Sequence, residues 1–412
     1  MNWAEYDAPM TAPSVPSDGE AGSPDTAPRQ RVLTLTCGAH ALHDGYTDAL
    51  YVLLPFWQTE FALSYAAVGL LRGLYSGVMA LFQVSAADLS VRWRAPWLML
   101  ALGTALAGGG YALAGLSAGL PLLAVGLIVG GLGSSTQHPI ASNLVAGAFS
   151  GSAVRPALGT YNFAGDIGKM AFPAAAALLL TVISWRHTAF ALAASGVAVA
   201  LLLMLLAPRP PEAAKPADAD APSGPTPLLW TRSFANLLAI GVVDSGTRMG
   251  FMTFLPFLLA AKGASVALGG LALSLVFAGG ACGKLACGFL GARLGVANTI
   301  TVTKAATALL VLAALAMPLT GVLILLPLIG MMLNGTSSVL YGSVPDCCTP
   351  QTQSRAFGVF YTATIGAGAL SPILFGLITD KAGLFQMMMM LAAFALTTLP
   401  LSWWLPASLR RP

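Results

Sequence analysis

Charge is scarce in this sequence. Of its 412 residues only 9% are Asp, Glu, Lys or Arg, while 56% are hydrophobic and the mean hydropathy is +0.77. A soluble domain carries about 25% charged residues. A water-soluble globular protein is therefore excluded, and a polytopic membrane protein is expected. Cysteine is scarce too. The five, at positions 37, 282, 287, 347 and 348, show no CxxC and no Cys/His metal spacing. They read as small apolar fillers, so neither a disulfide framework nor a metal site is expected. A phosphate loop is missing: around Gly283-Lys284, Ala278 and Leu285 stand where Gly and Ser/Thr are required. No nucleophile–base constellation is visible. An enzyme, a cofactor and a nucleic-acid partner are not expected, and any active transport must be secondary. Residues 1–30 have no apolar run or cleavage signal, and read as a disordered cytoplasmic tail rather than a signal peptide.

What is present is apolar helix. Runs of about 20 apolar residues suffice to span a bilayer. They recur about twelve times, near 33–57, 65–87, 95–115, 120–146, 157–183, 187–207, 233–260, 266–290, 296–318, 320–345, 355–379 and 383–405. A Pro/Ala/Asp-rich interruption divides them six and six. This predicts an all-α membrane protein: a six-helix bundle over 31–207, a cytoplasmic linker over 208–229 and a second six-helix bundle over 230–407. Alternate loops differ in charge. Arg29, Arg31, Arg92, Arg94, Arg155, Arg209, Lys215, Arg232, Arg293, Arg355, Arg410 and Arg411 fall on the side of the termini. Arg186, Lys262 and Lys381 fall on the other. The positive-inside rule then places both termini in the cytoplasm.

The few charges inside the spans are the candidate site, because ionisable groups at bilayer depth are costly and usually mark a substrate or proton pathway. In the first span His40, Asp44 and Asp48 follow at steps of four, on one helical face. At ~1.5 Å per residue, Asp44 lies near the bilayer centre. Asp48 lies in the outer half, level with Arg72 of the second span. Asp48 and Arg72 suggest a substrate contact, a gate or a structural ion pair. Asp44 suggests a proton carrier or a static hydrogen-bonded acid, with Lys169 at similar depth. His40 and His138 suit a proton relay or a hydrogen bond between spans one and four, and Pro139 should kink span four. His43, on the flank of the face, is assigned no role. Asp166 and Lys169 lie one turn apart in the fifth span, and Asp244 and Arg248 four apart in the seventh. Each pair suggests local neutralisation or a cavity lining. Tyr161, Asn162 and Tyr361 are further substrate candidates, while Tyr51, Asn334 and Tyr341 could shape a cavity or simply pack. Lys284 suggests a substrate contact or an inner gate. Lys304, on a span expected to be peripheral, reads as a snorkelling surface lysine.

The two halves look like parallel repeats. Leu54-Pro55-Phe56 before Val68-Gly69-Leu70 matches Leu255-Pro256-Phe257 before Gly269-Gly270-Leu271. Gly159 to Pro173 matches Gly358 to Pro372. Such repeats imply a pseudo-twofold along the membrane normal and a midplane site between the halves. The architecture resembles the major facilitator superfamily over residues 31–407. Asp88, Arg92 and Arg94 stand where that family has a gating loop, and Gly288-Phe289-Leu290-Gly291-Ala292-Arg293 is its degraded counterpart in the second half. Within the family, His40-x-x-x-Asp44, Pro55, Glu60-Phe61-Ala62-Leu63-Ser64 and Gly133-Ser134-Ser135-Thr136-Gln137-His138-Pro139 resemble the fosmidomycin-resistance drug exporters. Asp166, Lys169 and Arg72 depart from that pattern. The resemblance implies proton-coupled export of a small drug-like or anionic compound by alternating access. It implies a monomer in the plasma (inner) membrane of a bacterium, whose partners are the lipid bilayer, a small-molecule substrate and protons. Uptake of a small organic anion by proton symport is the alternative. A non-transporting sensor or lipid-moving scaffold is the rival of another class.

Overall fold

The computed structural model describes residues 26–208, 230–349 and 352–410. The expected tail and linker lie almost wholly outside these residues. The described chain is helical throughout. The first half contains α1 (Thr26–Glu60), α2 (Tyr65–Trp93), α3 (Pro96–Leu116), α4 (Leu120–Ser134), α5 (Gln137–Ala148), α6 (Val154–Leu179) and α7 (Trp185–Leu206). The second contains α8 (Arg232–Ala261), α9 (Val266–Leu294), α10 (Val296–Ala316), α11 (Leu319–Gly342), α12 (Gln353–Ala382), α13 (Leu384–Leu396), α14 (Thr398–Trp403) and α15 (Ala407–Arg410). The fourth span is α4 plus α5. It breaks at Ser135-Thr136, so that Pro139 falls in the first turn of α5, where a missing N–H costs least. The last span is α13 plus α14. Serines cap the second span of each half: Ser64 accepts from Ala67 N, and Ser265 from Leu268 N.

Nine helical stretches among the described residues are long and apolar enough to cross a membrane. α1, α6 and α8 are not among them, and they carry Asp44 and Asp48, Asp166 and Lys169, and Asp244 and Arg248. Twelve spans are thus nine of ordinary hydropathy and three loaded with charge.

The equal spacings in sequence turn out to be two matching contacts between the halves. A β-carbon on Gly69 of α2 would collide with the carbonyl of Pro372 in α12. One on Gly270 of α9 would meet the carbonyl of Pro173 in α6 and the Ala177 methyl. Glycine is required for these approaches because helix backbones touch there. Further along the same seams, Gly73 abuts Ala369 and Gly376 abuts Tyr65 and Ala66. The Asp380 carboxylate accepts from Tyr65 N at 2.7 Å and Ala66 N at 2.9 Å, capping α2 from the other half. Ser274 Oγ donates to Met170 O at 2.6 Å. All these contacts lie away from the chain termini. Backbone-to-backbone contact seals the halves together at that end.

Candidate functional site

A cavity of about 280 Å³ lies between the halves. The first half lines it with residues of α1, α2, α5 and α6, the second with residues of α8, α9, α11 and α12. Seven of the charged candidates face it: Asp44, Asp48, Arg72, Asp166, Lys169, Arg248 and Lys284. His138 faces it too, as do Tyr51, Asn334 and Tyr341. Met79, Met249, Met252, Phe277 and Ile365 add an apolar lining.

Asp44 is the centre of the first half's charge. Its side chain is 8% exposed. Lys169 Nζ lies 3.1 Å from Oδ2, and His40 Nε2 lies 3.4 Å from the same oxygen. The Nε2 atoms of His43 and His138 each stand 3.9 Å from Oδ1. His40 is fixed from behind: its Nδ1 donates to the carbonyl of Tyr161 at 2.8 Å, and its ring stacks on Tyr161 at 4.1 Å. A carbonyl can only accept, so Nδ1 carries a hydrogen. Nε2 is buried and has no hydrogen-bond partner among the described residues. It therefore sets a lone pair against the carboxylate unless a proton lies between them. Gly165 makes this possible, since a β-carbon there would strike Asp44 Oδ2 and His40. His40, Asp44 and His138 could offer three ligand atoms within 4.8 Å of one another. The Lys169 ammonium already occupies the cation position beside that carboxylate.

The chain of charge continues across the seam. Lys169 Nζ is 3.7 Å from Asp166, and Lys284 of α9 donates to both oxygens of Asp166, at 2.6 and 2.8 Å. Asp44, Lys169, Asp166 and Lys284 thus alternate in sign from one half to the other. Lys284, expected as a substrate contact or an inner gate, is bound to the other half.

Two arginines behave differently. Arg72 is 1% exposed, donates to Tyr51 Oη at 3.1 Å and to Ser76 Oγ, and packs over the Tyr51 ring. Arg248 lines the cavity from α8. Neither has a carboxylate in ion-pair contact among the described residues, and the Nε of each is buried without a partner. The expected Asp48–Arg72 ion pair is not made, although both line the cavity: the hydroxyls of Tyr51 and Ser76 take the guanidinium instead.

Other expectations change as well. Asp244 and Arg248 are not a local pair. Asp244 turns into the second half, 3% exposed, and is bonded to Lys304 of α10. Lys304 is not a snorkelling surface lysine, because its side chain is fully buried. Tyr161 braces His40 and does not line the cavity. Asn162 is exposed and also outside it. Tyr361, 48% exposed, packs its ring against Tyr341 and is not among the cavity's lining residues. Asp88 and Arg92 are exposed and make no ion pair among the described residues, so they hold no gate shut here. His43, given no role from sequence, is 6% exposed and lines the cavity. Its bilayer depth was the signal that could have found it.

Comparison with known proteins agrees with this architecture. The profile of the Major Facilitator Superfamily matches residues 36–342. No curated protein matches the chain. Among solved structures, a bacterial homolog of the human lysosomal transporter Spinster, inward-facing and occupied, superposes with a TM-score of 0.78 at 18% identity, over 93% of this chain and 97% of that one. A nucleoside transporter gives 0.77 at 14% identity, over 90% and 99%. A D-xylose–proton symporter gives 0.72 at 14% identity, over 92% and 98%. These identities establish a shared fold. With most of its length matched by the family profile, the chain belongs to the Major Facilitator Superfamily and is a multi-pass membrane transporter, not an enzyme.

Proposed function

We propose that this chain is a proton-coupled secondary transporter that exports a small organic anion, such as a carboxylate or phosphonate, by alternating access. The observation that carries the anion is the pair of arginines. Arg72 and Arg248 come from opposite halves, face one cavity and have no carboxylate within ion-pair distance among the described residues, the nearby Asp48 included. Burying a cation without a counter-ion is costly. An anion spanning the two guanidiniums would satisfy both with charge-assisted bonds and draw the halves together. The methionine-rich lining suits an apolar body attached to the charged end. A cavity of about 280 Å³ is at the small end of ligand pockets.

The proton belongs at Asp44. Protonating Asp44 or His40 resolves the clash of lone pairs and loosens Lys169, which is also 3.7 Å from Asp166. Lys169 can then shift along the Asp44–Asp166–Lys284 row, whose last bond crosses the moving seam. Proton binding in one half thereby reaches the contact between the halves. The scaffold accommodates such coupling, since a proton symporter shares the fold. The arginine-rich loops on the terminus side support a cytoplasmic placement of both termini in a bacterial cell. Likeness to the fosmidomycin-resistance exporters favours export over uptake. Both directions use the same site.

The test is flux in proteoliposomes under an imposed pH gradient, with a panel of carboxylates and phosphonates. One member should be driven by the gradient, with KM raised about tenfold or more in Arg72→Gln and in Arg248→Gln, the loss of one charged hydrogen bond. Unaltered KM in both variants would sink the anion site. The sign of the gradient that drives accumulation separates export from uptake.

A further inference from the structure

Asp244 and Arg248 sit four residues apart on α8, the spacing at which an acid and an arginine on a helix meet. They do not meet. Asp244 is buried at 3% exposure and forms an ion pair with Lys304, wholly buried in α10. Lys304 Nζ has no other partner among the described residues. No residue of α10 lines the cavity. Arg248 does, with its Nε unpartnered among the described residues. A buried ion pair is on balance no better for stability than well-packed apolar residues, so stability alone gives little reason for a lysine here. Its consequence lies one helical turn away: with the carboxylate taken, the guanidinium keeps its charge for the cavity.

We propose that Lys304 is a positioning residue for the substrate site, holding Asp244 away from Arg248 so that Arg248 stays available to an anion. This rests on the anion reading of the cavity. Without the lysine, Asp244 would be a buried carboxylate with no counter-ion, and Arg248 is the cation one turn along its own helix. Turning to it would relieve the acid and quench the site. Lys304 never touches substrate. It acts by removing an internal competitor.

The test uses the full-length purified protein and phenylglyoxal, an arginine reagent, with labelling of Arg248 read by mass spectrometry and the exposed Arg94 as control. Arg248 labelling should fall several-fold in Lys304→Met and return in Asp244→Asn/Lys304→Met, where neither charge remains. Lys304→Arg should keep it. Flux of benzoate and methylphosphonate in proteoliposomes supplies the second readout: KM rises in Lys304→Met and recovers in the double variant. Lys304→Met labelling and KM equal to wild type would overturn the proposal. So would a double variant no better than the single. A purely structural lysine would lower the yield of folded protein without moving Arg248 labelling in what folds. Should Lys304→Met fail to fold, Lys304→Gln, which removes the charge but keeps a polar side chain, takes its place. Its Arg248 labelling should fall several-fold and return in Asp244→Asn/Lys304→Gln, and labelling equal to wild type would count against the proposal. Wild type that binds and moves neither anion sinks the anion reading and this inference together. Wild type that moves one while Lys304→Met matches it sinks only this inference.

Discussion

The halves repeat each other in backbone and differ in how they treat charge. In the first half Asp44 faces the cavity amid three histidines and a lysine. In the second half the corresponding helix carries Asp244, which faces away from the cavity and is closed off with a single lysine. A carboxylate with several competing partners can exchange them. A carboxylate with one buried partner is fixed. Under the proposed function, the first half changes protonation and the second holds a guanidinium constant. On that reading the duplicated scaffold gives coupling to the first half while binding draws on both, through Arg72 and Arg248, and the Asp166–Lys284 bond links the halves.

The sharpest way to break that contrast is to remove each acid in turn. Asp44→Asn should abolish anion accumulation driven by a pH gradient while leaving exchange of anion for anion. Asp244→Asn/Lys304→Met should keep the gradient response, whatever happens to its KM. Proteoliposome uptake with and without a gradient measures both. Gradient-driven transport surviving in Asp44→Asn, or lost in the double variant, would mean that the halves do not divide the work this way.

Much of this was legible in the sequence because membrane depth makes charge conspicuous. The repeat pairs Gly69 with Gly270 and Pro173 with Pro372, and these became the two seams. Seven of the charged candidates line one cavity for the same reason: an apolar span tolerates a charge only where something faces it. Partners were another matter. Spacing of three or four residues suggested that Asp166 would neutralise Lys169 and Asp244 would neutralise Arg248; the first pair is made, at 3.7 Å and shared with Lys284, and the second is not. Tertiary neighbours outbid local ones, since a lysine from another helix can approach end-on with better geometry. Lys304 shows the limit most clearly. Whether a lysine on a membrane helix points to lipid or to the interior depends on rotation about the helix axis, and the mixed small and apolar residues around it do not set that rotation.

A smaller contrast concerns glycines within a half and between halves. Gly168 packs on the Ala41 backbone, joining α6 to α1 inside one bundle. Gly69 packs on Pro372 across the seam, a contact that opening of the sealed end must break. A valine at Gly168 should cost about 1–3 kcal/mol, the usual range for overpacking, and lower the thermal midpoint. A valine at Gly69 can be relieved by separating the halves. It should leave the midpoint nearly unchanged and shift the protein toward the state in which that end is open. Reactivity of single cysteines placed near Ser64 and Tyr361 reads that shift. If Gly69→Val melts as Gly168→Val does and leaves cysteine access unchanged, the seam is a rigid core and not a moving surface.

The mildest contrast is at the sealed end, where each half uses a cation to cover the exposed carbonyls at the end of its third span. Arg186 donates to Ser117 O at 2.9 Å and to Glu60 at 2.5 Å. Lys262 donates to Leu315 O at 3.0 Å and Met317 O at 2.6 Å, with no acid in ion-pair contact among the described residues. Arg186 and Glu60 are each about one-third exposed, 34% and 35%. Arg186→Met and Lys262→Met should each destabilise by about 1 kcal/mol or less, the range for exposed ion pairs and single hydrogen bonds. Salt should distinguish them. The Arg186 effect includes a carboxylate pair and should shrink as the Debye length falls from about 8 Å to about 3 Å between physiological and molar salt. The Lys262 effect rests on carbonyl dipoles at contact distance and should change less. Equal salt sensitivity in denaturation of the two variants would mean that Glu60 adds nothing to the first cap, and that the halves are alike at this end even though they differ at the midplane.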